Sequence, residues 1–203
     1  MSTLHTENNQ AATVEPVSIS LEFTPNPNTL KFVVNRQLIE RGAANFLSAS
    51  KTEHAPLAAK LFAIPGVQAV MIGTQFVTIT KAFDGSWDVL AEQVPTTLEN
   101  HLNANLPAFE PEYFATQVTH TPSASGDETD VERRIKEVLD TEIRHAVAMD
   151  GGDITFGKFE DGVVYLHLQG SCASCPSSVA TLKMGVETRL REMIPEVKEV
   201  VQV

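Results

Sequence analysis

The feature that most limits what this chain can fold into is a break in its pattern. Between Asn103 and Asp130 the apolar periodicity found on either side stops, and Pro107, Pro111 and Pro122 give way to Ser123-Ala124-Ser125-Gly126-Asp127-Glu128-Thr129. Each proline lacks an N–H and holds its predecessor away from helix, and a Ser/Gly/Asp run has nothing to bury. We read the stretch as a flexible joint between two domains. We read a polar, mobile tail over 1–16, a first domain over 17–115, a flexible linker over 116–129 and a second domain over 130–203. Phe109, Tyr113 and Phe114 form an aromatic cluster that is expected to dock on the first domain.

Within the first domain, Val17 to Phe23 alternates with a period of two and predicts a half-buried strand. Thr24-Pro25-Asn26-Pro27-Asn28 predicts a turn, and Leu30 to Val34 a hairpin partner. A helix is expected from Ala55 to Ile64, stopped by Pro65-Gly66, followed by strands at Val67–Ile72 and Phe76–Thr80. From Asp84-Gly85-Ser86 to Leu102 the spacing predicts an amphipathic helix burying Leu90, Val94 and Leu98, with Pro95 kinking or splitting it.

The second domain reads as α-β-β-α-β. Asp130 is placed to cap a helix whose Ile135, Val138, Leu139 and Ile143 share a face. After Asp150-Gly151-Gly152-Asp153 comes a hairpin about Asp161-Gly162, then a cysteine loop, a helix from about Ser177 to Met193, and a last strand over Val197–Val203. The fold class is therefore α+β: two small α+β domains joined by a flexible linker. A second domain this small buries only about 60 to 65% of its surface, so a partner subunit or bound metal would matter to it.

Composition narrows function. Over 203 residues, 26 acidic against 15 basic side chains leave a formal charge of −11. That balance argues against a general nucleic-acid binder and against an anionic-membrane binder. No apolar run approaches the roughly 18 to 20 residues that would cross a membrane. The start, Met-Ser-Thr-Leu-His-Thr-Glu-Asn-Asn-Gln, has neither a basic and apolar signal pattern nor an Arg-rich transit pattern. A bacterial cytoplasm is the expected location, with the mitochondrial matrix as the alternative for a processed form.

The chemistry is expected at Cys172 and Cys175, the two cysteines of the chain. Two cysteines cannot staple a secreted fold with several bridges, but a Cys-x-x-Cys pair can chelate one metal centre. The following helix aims its free N–H groups at the loop and is expected to favour thiolate. Zinc would need two more ligands, with His145, His167 and local carboxylates as candidates at no finger-like spacing. A [4Fe–4S] cluster wants four thiolates, which two copies of the loop across a two-fold axis would supply. Thiol–disulfide redox chemistry competes, although only 28 residues follow Cys175, too few for the further hairpin of a thioredoxin fold.

Two sets of residues carry a family resemblance. Asp150-Gly151-Gly152-Asp153, the hairpin, Gly170-Ser171-Cys172-Ala173-Ser174-Cys175-Pro176-Ser177-Ser178 and Thr181-Leu182-Lys183-Met184-Gly185-Val186-Glu187 resemble the NifU C-terminal (Nfu) domain. Phe23-Thr24-Pro25-Asn26-Pro27-Asn28-Thr29-Leu30-Lys31-Phe32, supported by Leu61-Phe62-Ala63-Ile64-Pro65-Gly66-Val67, is similar to the Nfu N-terminal domain. The resemblance implies a non-enzymatic iron–sulfur scaffold or carrier that holds a [4Fe–4S] cluster between two subunits and passes it to apo-proteins. It implies Cys172 and Cys175 as ligands, a homodimer through the C-terminal domain, and a donor scaffold and apo iron–sulfur targets as partners. The cysteine-rich assembly domain and ferredoxin-like part of full NifU are missing here, which favours carrier over primary assembly factor. The cysteine-free first domain is then read as a docking module.

Plainer readings are preferred elsewhere. Asp150–Asp153 is a turn before it is a metal site; His145 and His167 are ordinary helix and sheet residues; Lys183 lies on a solvated face; Trp87 is core; and Pro25–Asn28 is a turn first and a recognition loop second.

Overall fold

A computed structural model describes residues 15–117, 129–173 and 176–203, with only the backbone for 116–117 and 176–179. The expected tail therefore falls almost wholly, and the linker largely, outside the described residues, as does Cys175.

The first unit is an antiparallel sheet of five strands: β1 (Ile19–Phe23), β2 (Thr29–Val34), β3 (Ala44–Phe46), β4 (Val67–Ile72) and β5 (Phe76–Lys81), in the order β1-β2-β5-β4-β3. The alternation read in the sequence sorts its two faces. Leu30, Phe32, Val34, Val70, Ile72, Val77 and Ile79 point to one side and pack on α1 (Pro56–Phe62) and α2 (Trp87–Asn103). Phe46, Phe109 and Tyr113 close the same core, their ring centroids 4.6 to 6.4 Å apart, so two of the three clustered aromatics dock as expected while Phe114 stays exposed. Just beyond Phe109 the chain forms α3 (Pro111–Gln117). Trp87 is half-buried against this core, and its indole donates to the Pro27 carbonyl at 3.2 Å.

The expected split at Pro95 does not occur: α2 runs through it. The Thr96 and Thr97 hydroxyls donate to the Glu92 and Gln93 carbonyls, both at 2.8 Å, adding bonds in the turn where proline removes one.

The second unit follows the expected order. α4 (Asp130–Val138) passes through a π-helical turn (Leu139–Ile143) into α5 (Arg144–Met149). Its cap is Thr129, one residue before the expected Asp130, because a capping box forms: Thr129 Oγ1 accepts from the Glu132 amide while the Glu132 carboxylate accepts from the Thr129 amide. The antiparallel pair β6 (Gly152–Glu160) and β7 (Val163–Gly170) bulges between Phe156 and Lys158. β8 (Glu199–Gln202) adds parallel to β7 after α6 (Pro176–Met193). Ile135, Leu139, Ile154, Val164, Leu166, Val186, Leu190 and Val200 form the core between helices and sheet.

The two units touch through the first sheet's other face. Register places Glu22, Lys31, Thr78, Met71 and Asn45 in one row across all five strands. Lys31, Thr78 and Met71 lie away from the first core yet are buried, under the loops that carry the cysteine site.

Candidate functional site

Cys172 lies in a short 3-10 turn (Ser171–Ala173) between β7 and α6. Although its neighbours in the turn are small, it is a free thiol only 5% exposed. The cause is close packing with β6. A methyl group placed on Gly152 would lie 2.4 Å from Cys172 Sγ and 3.0 Å from the Gln169 carbonyl oxygen, so glycine is what lets the sulfur tuck in. Ser171 anchors the turn, its hydroxyl donating to the Asp150 carbonyl and its amide to the Gly151 carbonyl.

Burial pushes the Cys172 thiol above its ordinary range; the Ser171 hydroxyl opposes this, and the negative charges of Asp150 and Asp153 add to it.

The turn before β6 is held from behind. Arg144 clamps the buried Asp153 with two parallel bonds, Nε to Oδ1 and Nη2 to Oδ2, each 2.9 Å, and reaches Asp140 with Nη1 at 2.9 Å. This doubly charged fork raises the Arg144 pKa further above its ordinary value. Gly151 takes a φ of +75°, so Asp150–Asp153 is the tight turn that the sequence reading preferred. Arg144 was not singled out by the sequence, because its pairing with Asp153 exists only once α5 folds back on β6.

The remaining sequence candidates do not gather here. His145 and His167 are exposed, and His167 Nδ1 lies 3.2 Å from the Val203 carbonyl. Lys183 Nζ is 3.7 Å from Glu199. Among the described residues, the group of three possible ligand atoms within 4.8 Å of one another is His54, Glu110 and Glu112, away from Cys172. Beside Cys172 runs an apolar groove of about 650 Å³ lined by Ile143, Val147, Leu182 and Val186, with Pro25 of the first unit on its rim. Among the described residues no helix is long and apolar enough to cross a membrane.

These features define a class: a two-unit α+β protein whose Cys172 sits between the hairpin and long helix of an α-β-β-α-β unit, at the start of a Cys-x-x-Cys sequence. Residues 135–201 match the NifU-like domain, and residues 19–105 match the N-terminal domain described as scaffold protein Nfu/NifU. The chain belongs to the Nfu family of NifU-domain proteins. It is 41% identical over 187 residues to a human protein named NFU1 iron-sulfur cluster scaffold homolog, mitochondrial, covering 91% of this chain and 71% of that one. It is 38% identical over 186 residues to NifU-like protein 4, mitochondrial, of Arabidopsis thaliana, covering 91% of this chain and 65% of the relative's length. A solution structure of a NifU-like protein from Saccharomyces cerevisiae aligns with a TM-score of 0.44 at 24% identity, over 55% of this chain and 99% of that one.

Proposed function

We propose that this protein is a non-enzymatic iron–sulfur cluster scaffold and carrier. The cluster is its cargo. Cys172 and Cys175 hold it, a second copy of the C-terminal unit supplies the other two thiolates of a [4Fe–4S] centre, and apo-proteins receive it by thiolate exchange. The observation that carries this reading is the coincidence of the NifU-like match over 135–201 with the chain's two cysteines, in a family whose named relatives are iron–sulfur scaffolds. Chemistry supports it: two thiolates per chain are half of what a cubane needs, and symmetry doubles them. A bacterial cytoplasm, or the mitochondrial matrix suggested by the relatives' names, is the location carried with this reading.

Anaerobic reconstitution with iron and sulfide, followed by iron, sulfide and mass determination on one size-exclusion peak, tests it. We expect about four iron and four sulfide per dimer, lost in Cys172→Ala and in Cys175→Ala. An iron-free monomer that cycles a Cys172–Cys175 disulfide would replace the carrier reading with thiol–disulfide chemistry.

A further inference from the structure

We infer that the outer face of the first unit's sheet is a docking surface for the cysteine loop of the second unit, and that this docking controls access to the Cys172 thiol. The surface is the row described above together with the turn at its edge. Three backbone carbonyls bracketing the site receive donors from the first unit. Lys31 Nζ donates to the Met149 carbonyl at 3.1 Å, Thr78 Oγ1 to the Gly151 carbonyl at 2.8 Å, and Asn26 Nδ2 to the Ser171 carbonyl at 3.2 Å. The match is chemical as well as geometric. Met149 ends α5, where carbonyls lack helical partners and the dipole is negative, so an ammonium is the fitting cap.

Burial shows that this face is built for contact. Lys31 is only 8% exposed, and Thr78 and Met71 1% each, although all three point away from the first unit's own core. A lysine is rarely sunk so far without partners. This one pairs with Glu22 at 3.0 Å and sits 5.1 Å from the centre of the Phe76 ring. On the opposite side two glycines permit close approach. A methyl group on Gly151 would lie 3.0 Å from Thr78 Oγ1, and one on Gly170 would lie 2.7 Å from Met71 Sδ. Pro25 extends the contact to the groove beside Cys172.

The occupant of this surface is thus a segment of the same chain, Met149–Gly151 with Gly170–Ser171. The docked form is closed: the bonds to Gly151 and Ser171 hold the turn against Gly152 of β6, which covers Cys172. The consequence for cargo, that undocking precedes the pairing of two cysteine loops around a cluster, rests on the carrier reading; the shielding of the thiol does not.

The test uses the full-length chain, iron-free and reduced, with Cys175→Ser so that one thiol reports. Alkylation by iodoacetamide is followed by mass spectrometry in that background and in the same chain carrying Lys31→Ala with Thr78→Val. Trp87 fluorescence and far-ultraviolet circular dichroism check the fold. We expect the rate to rise about tenfold or more, the size that follows from losing two net hydrogen bonds. We also expect the rate in the docked chain to be independent of protein concentration. An unchanged rate in a folded variant overturns the docking, and so does protection that weakens on dilution, which would assign the contact to a second copy. Should the double variant fail to fold, Met71→Ala, which only trims the contact at Gly170, carries the same expectation and the same refutation. Iron binding that survives Cys172→Ala would overturn the carrier reading and leave this result standing.

Discussion

Gly152 sits where the cysteine loop closes on β6, and its missing side chain is a packing requirement, since any Cβ there would overlap the Cys172 sulfur. Gly152→Ala must push the 3-10 turn outward or strain β6. Overpacking of this kind costs about 1 to 3 kcal/mol, so an unfolding free energy lowered by that amount, read as a lower urea midpoint, with faster Cys172 alkylation, is the expected result. An unaltered midpoint and rate would mean that the loop yields freely. At this scale the sequence was informative about identity and silent about environment. The Cys-x-x-Cys pair and the glycine turn could be read directly. The burial of Cys172 could not, because it depends on how closely the turn packs against Gly152 of β6, twenty residues away in the chain.

Among the elements, α2 carries a second buried titratable group. His101 lies in its last turn, with Nε2 donating to the Pro107 carbonyl at 2.9 Å and Nδ1 buried without a partner. Burial lowers its pKa below the ordinary 6.5, the Pro107 bond opposing and Lys60 adding to the effect. The sign follows from linkage: a group depressed in the folded state contributes stability that is present above 6.5 and is lost as pH falls towards the folded value, because the unfolded chain takes the proton first. His54 works the other way, raised chiefly by its bond to Glu110, but it is on the surface, where solvent screens the effect. Urea unfolding followed by Trp87 fluorescence should therefore give a lower midpoint at pH 5 than at pH 7, and His101→Gln should flatten that dependence. Equal slopes in both chains would remove His101 as the cause. Periodicity exposed α2, α6 and the long strands well, since each buries one continuous face. It missed β3, whose three residues are too few to show a period and exist through pairing with β4. It also missed α3, because Pro111 at its start was counted with the residues that break the apolar pattern, although proline suits a first helical turn. The π-helical turn at Leu139–Ile143 leaves no mark in the apolar pattern.

For the whole molecule the decisive question is whether the two units are energetically one. The polar row from Glu22 to Asn45 looks, in sequence, like the wet side of an ordinary half-buried sheet, and nothing local distinguishes water from the second unit as its neighbour. Docking makes a thermodynamic difference that can be measured. A unit that binds only the folded form of its neighbour stabilises it, and unfolding one withdraws that contribution from the other. The single tryptophan, Trp87, reports the first unit alone. Ile135 is fully buried in the second core and takes no part in the interface described above. Ile135→Ala should cost the second unit about 2 to 5 kcal/mol through lost transfer energy and the cavity left behind. If the units are docked, the Trp87 transition in urea must also move to lower concentration, even though the first unit's contacts with its own core are untouched. In the Lys31→Ala, Thr78→Val background the same substitution should leave the Trp87 midpoint where it was, because the coupling has already been removed. Two independent transitions in the parent chain, with Trp87 indifferent to Ile135→Ala, would show that the sheet face and the cysteine loop meet without a free energy large enough to govern access.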